Sequence, residues 1–206
     1  MRRVAIGAVT FLLSPPAFAH IPLLRGRLVD DVRHSDVIVV GTVDRVVDVA
    51  PRTTRTTITV ERTLFGSASA PLTFDGSARF VAGRRYVFFI RREGDDRLQC
   101  VQASGVIFPS RPEDDAAYAQ AVAGIRAALQ ANEAARPKAL RAALIPALRA
   151  GEPALRYHAA LELAGIAHHG ALNADERQQI EAIAANPATD PKLKPLLAML
   201  LKESRQ

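Results

Sequence analysis

Asp36-Val-Ile-Val-Val-Gly-Thr-Val43 opens the stretch, reaching to Phe108, whose reading decides the fold. Thr56-Thr-Ile-Thr-Val-Glu-Arg-Thr-Leu64 and Arg85-Tyr-Val-Phe-Phe-Ile90 follow it. β-Branched and aromatic residues set between Gly, Pro and Asp breakers are the composition of strands. Val37 to Val40 is apolar on both faces, as in a central strand. Gly41 allows a bulge or sharp bend there. Ile58, Val60 and Leu64 are expected to point inward, alternating with Thr57, Thr59 and Glu61. Leu72-Thr-Phe74 reads as a short strand, Asp75-Gly76 as a turn, and Leu98 to Gln102 as a return strand. Val106-Ile-Phe108 is placed to close the sheet.

Five or six strands in so short a span predict a small Greek-key barrel of the oligonucleotide/oligosaccharide-binding (OB) type. Upstream, Leu24, Leu28 and Val32 predict a short helix ending near His34-Ser35. Three pieces, Ser35-Asp-Val-Ile-Val-Val-Gly-Thr-Val43, Thr57 to Gly66 and Phe80-Val-Ala-Gly-Arg-Arg-Tyr-Val-Phe88, resemble the barrel of the netrin-module and tissue-inhibitor-of-metalloproteinase family, above all its exported bacterial relatives. The resemblance covers about residues 20–108. Inhibitors of that family insert an N-terminal Cys into a protease; this chain has none there, so what the resemblance implies is a fold and a compartment.

The N-terminus reads as an export signal over 1–19. Arg2-Arg3 supply positive charge, Val4 to Leu13 a short apolar run, and Ala17-Phe-Ala19 a small-x-small cleavage site. Cleavage leaves His20 first and the protein exported, periplasmic or secreted, with no transmembrane segment. Without Arg2 and Arg3, 25 basic residues face 21 acidic ones. No block of like charge suggests nucleic-acid binding. Cys100 is the only cysteine. It cannot form an internal disulfide, and its strand setting predicts burial.

From 110 onward the periodicity is helical. Ser110-Arg-Pro-Glu113 reads as a capping box, and Tyr118, Val122, Ile125 and Leu129 form one apolar stripe. Leu140, Leu144 and Leu148 share a face, and Pro146 threatens that helix. Asn173-Ala-Asp-Glu176 is a second box. Glu152-Pro-Ala-Leu-Arg156 aligns with Asp190-Pro-Lys-Leu-Lys194 at an offset of 38, which Ile145 and Ile183 keep. That spacing, with Leu144-Ile-Pro-Ala-Leu148, resembles HEAT-like helical pairs. The expected class is therefore α+β, an OB-like barrel over 20–109 and a HEAT-like hairpin array over 110–206. The 111–134 helix is expected to pack on the Leu140 helix, leaving a small polar interface with the barrel.

The leading expectation for function is a non-catalytic protein–protein interaction module of the envelope, not an enzyme and without a cofactor. The alternatives are an enzyme with an unrecognised site, metalloprotease inhibition through His20-Ile21-Pro22, and metal binding. A free N-terminal His20 offers an amine and an imidazole nitrogen to copper, and His34 would complete three nitrogens. His168-His169 before Gly170 read as helix-end caps. His158 and Glu162 read as a surface pair. Arg84, Arg85, Arg91 and Arg92 read as solvated strand residues.

Overall fold

The computed structural model describes residues 28–94, 97–102, 106–167 and 171–203. Helix α1 (Leu28–His34) precedes strands β1 (Val37–Ala50), β2 (Thr53–Phe65), β3 (Leu72–Gly76), β4 (Arg85–Glu93), β5 (Arg97–Cys100) and β6 (Phe108–Pro109). Helices α2 (Asp115–Gln130), α3 (Arg136–Ala147), α4 (Pro153–Ala167), α5 (Ala174–Ala185) and α6 (Lys194–Glu203) follow. The class is α+β: a closed barrel, then helices.

The barrel runs β1-β2-β3-β5-β4 and closes where β4 returns to β1, Val37 to Thr42 lying against Ile90 to Arg85. Every pairing is antiparallel except β3 with β5, which meet in parallel at Asp75 and Gln99. This arrangement is compatible with the OB-like reading. Closure therefore falls to β1 and β4 rather than to the 106–108 segment. β6 instead takes up the edge of β4 at Tyr86 and Val87, beyond the end of β5.

Two glycines set how closely the strands approach. The β1–β2 register slips between Val40 and Gly41. A Cβ on Gly41 would stand 2.5 Å from the Thr59 carbonyl oxygen, so only glycine fits this bend. Asp75 and Gly76, expected as a turn, end β3 and pair with Arg55 and Thr54. A Cβ on Gly76 would lie 2.8 Å from that of Cys100, so its absence lets β3 run on beside β5.

Alternation along β1 and β4 feeds two cores. Inside the barrel, Val39, Ile58, Phe74, Phe80, Tyr86 and Phe88 are buried, and Val60 packs half-buried against them. Phe80, from the β3–β4 loop, stacks 4.9 Å from Phe88 and 5.3 Å from Tyr86. On the outer face, Ile38, Val40, Val87 and Phe89 are fully buried in a continuous cluster with α1 to α6. Thus the interface expected to be small and polar is apolar. Leu64, expected inward, packs on this second core with Phe65, because the bulges in the β1–β2 pair rotate the end of β2 outward.

Polar contacts fix the helices on that face. Arg85 on β4 donates from Nη1 and Nη2 to both Asp115 carboxylate oxygens at 2.8 and 2.7 Å, and from Nε to Glu61 at 2.7 Å. Ser110 joins this network rather than capping a helix, and the Asp114 carboxylate accepts from the Arg111 amide instead. At the ends of α1, the Val29 amide donates to Glu162 at 2.9 Å, while Arg126 donates to the carbonyls of Val32 and Ser35. Arg126 also lies 3.7 Å over the Phe65 ring.

Helix α2 packs most extensively on α3, as its stripe predicts. Gly124 permits the approach, since a Cβ there would be 2.9 Å from that of Ala143. Tyr118 faces the barrel side, its ring toward Phe108 and its hydroxyl donating to the Pro109 carbonyl at 2.9 Å. Helices α3/α4 and α5/α6 form successive pairs, with Ile145 and Ile183 buried at equivalent places. The buried Arg141–Glu176 pair ties α3 to α5. Asn173 caps α5 through the Glu176 amide at 2.8 Å, with Glu176 returning to the Asn173 amide at 2.9 Å. Pro146 falls in the last turn of α3, one residue before its end.

Phe88 and Phe89 are neighbours on opposite faces, and both are fully buried. Phe88→Ala and Phe89→Ala should therefore each cost about 3–5 kcal/mol in denaturant titrations. A barrel whose outer face needed no helices would lose almost nothing at Phe89.

Candidate functional site

The equivalent starts of α4 and α6 border a recess on the helical array. The Glu152 carboxylate accepts from the Ala154 amide at 3.0 Å, and Asp190, 38 residues on, accepts from the Lys192 amide at 2.8 Å. Helices α4 and α6 pack together, and Leu155 and Leu193, each three residues past its cap, are buried.

A recess of about 670 Å³ opens between the caps, lined by Arg156, Tyr157, His158, Asp190, Lys192 and Leu193. A second, of about 450 Å³, is lined by Leu148, Arg149, Arg156, Ile183, Asn186 and Thr189. Arg156 borders both, so the two recesses adjoin at its side chain and are taken together as one groove. Its Nε is shielded and has no acceptor among the described residues. Among those residues, Arg149, Arg156 and Lys192 take part in no ion pair, unlike Arg85 and Arg141. The groove thus combines an apolar floor with unpaired positive charge.

His158 sits at the inner end of this groove and is half-buried rather than exposed. Its ring lies 4.8 Å from Phe108, and its Nδ1 is shielded without a partner among the described residues. Burial pushes its pKa down to about 4, so the ring is neutral at neutral pH. Glu162, expected to pair with it, is directed to α1 instead.

The other sequence candidates are dispersed. His20, Ile21, Pro22, His168 and His169 lie outside the described residues. His34 ends α1, its Nδ1 2.9 Å from the Asp30 carbonyl. It borders a recess of about 580 Å³ with Asp30, Asp31, Arg91, Gln99 and Cys100. Among the described residues, no group of three or more His, Cys, Asp or Glu side chains is arranged to hold a metal ion. Cys100 is buried and free, with Sγ 3.4 Å from Gln102 Oε1. Burial pushes its pKa up to about 12, so it stays a thiol rather than the nucleophilic thiolate. Arg85, grouped in sequence with solvated arginines, is largely covered and ion-paired.

No protein-family model matches the chain, and no curated protein sequence matches it. Arg149, Arg156 and Lys192 were not singled out by sequence reasoning. The 38-residue repeat carries no signal for them, because it aligns Arg156 with Lys194, which borders neither recess, Lys192 with Ala154, and Arg149 with Pro187.

Two measurements test these environments. The Asp115 carboxyl is held below the usual range by Arg85, and that of Glu61 by Thr42 and then Arg85. Both contribute stability that is complete above their unfolded pKa near 4 and lost on acidification below it. His158 has a folded pKa of about 4 against 6.5 for the free side chain, so its contribution is complete above pH 6.5 and disappears as pH falls through 4. Acidification from pH 7 to below 4 should remove about 3 kcal/mol through His158 alone, a loss absent in His158→Phe. In separate thiol-labelling kinetics at pH 8, Cys100 should react only as fast as the protein opens, and rapid labelling of the native state would contradict its burial.

Proposed function

We propose that this chain is an exported, non-catalytic protein–protein interaction module of the cell envelope, with the helical array as its contact surface. The observation that carries this reading is the groove around Arg156, where apolar side chains and cations without ion-pair partners among the described residues share one surface on helices braced against the barrel. Helical pairs commonly present such contact surfaces. The Ala17-Phe-Ala19 site after a short apolar run supports export.

The test is site-specific photo-crosslinking in the native cell. A photoreactive phenylalanine analogue replacing Tyr157, in the groove, should give a discrete protein adduct. The same analogue at Val49, exposed on the barrel, should not. Adducts from Val49 and none from Tyr157 would transfer the contact surface to the barrel and overturn this assignment.

A further inference from the structure

Arg156 stands where the two recesses of the array meet. An arginine Nε–H without an acceptor in a shielded position is costly, and a carboxylate is the group whose geometry best satisfies a guanidinium. Arg149 lies on one side of it and Lys192 on the other, both exposed. Among the described residues, Asp190 is the only acidic one bordering either half, and one of its oxygens is occupied by the Lys192 amide. Beneath these charges lie Leu148, Ile183 and Leu193, all buried. An occupant that complements the groove therefore carries more than one carboxylate and apolar side chains between them.

The geometry points to an acidic, leucine-type segment of a protein partner as the occupant of the Arg156 groove. This rests on the module reading above and names the chemistry of its partner. A polynucleotide fits less well. The groove interleaves its few cations with an apolar floor, and the residues lining it include no repeated row of bases along a backbone track. Tyr157 and the apolar floor give side-chain pockets, which a phosphate chain does not fill.

The test uses the full mature chain and a short fluorescein-labelled peptide of alternating glutamate and leucine. Anisotropy should show saturable binding that weakens roughly tenfold from low to moderately high salt. Arg156→Ala should weaken it roughly tenfold or more, and Arg156→Lys by an intermediate amount, since charge remains but the Nε–H is lost. The surface double variant Arg149→Ser/Lys192→Ser decides the matter should Arg156→Ala fail to fold; it should also weaken binding roughly tenfold. Asp190→Asn keeps an acceptor for the Lys192 amide and removes a repelling charge, so it should tighten binding roughly twofold to threefold. Arg91→Ser/Arg92→Ser on the barrel should leave affinity unchanged.

Equal affinity for a lysine–leucine peptide, or indifference to both the Arg156 and Arg149/Lys192 variants, overturns the inference. So does tighter, Arg156-dependent binding of a single-stranded oligonucleotide, or complete competition by millimolar inorganic phosphate. Crosslinks from Tyr157 together with no acidic-peptide binding would leave the module reading standing and remove only this one.

Discussion

The two central strands of the barrel are apolar on both faces, and the rest of the molecule answers that constraint. Closing a barrel buries one face of β1 and β4 but leaves Ile38, Val40, Val87 and Phe89 directed outward. Exposed together, they would form the kind of contiguous apolar patch that drives aggregation. Covering them requires α1 and the helical array. The array in turn gains a wall for helices whose repeats are too few to enclose a core by themselves. The covered face has the character of a domain interior rather than of a hinge between loosely joined domains.

The Arg85 network gives this apolar contact its register. Apolar packing is non-directional, whereas a bidentate guanidinium–carboxylate pair admits one orientation. Arg85 spans β4, the end of β2 through Glu61, and the first residue of α2 through Asp115. Glu162 and Arg126 hold the two ends of α1 in the same directional manner. With the helices fixed on one side, the starts of α4 and α6 are free to carry the Arg156 groove elsewhere on the array.

Strand content, helix content and the repeat were legible because each leaves a local signature. Gly41 was readable as a bend since a glycine within a β-branched run rarely has another use. Asp75-Gly76 was misread because the same dipeptide serves a turn or a close strand approach, and only Cys100 across the parallel contact distinguishes them. Asn173 kept its cap because both its partners lie within one turn. Ser110 did not, because a side chain 25 residues away, Arg85, competes for its hydroxyl.

What the sequence by itself determined is what depends on neighbours in the chain: alternation in the strands, the stripe of α2, the offset of 38 and the burial of Cys100. Tertiary structure alone decided which strands close the barrel, that its outer face is apolar against the helices, and that His158 is shielded by Phe108. It also decided that Arg149, Arg156 and Lys192 gather in one groove without ion-pair partners among the described residues. The physical reason is range. Propensity and periodicity act over a few residues, whereas the partner of a charge or ring is set by chain segments brought together only on folding.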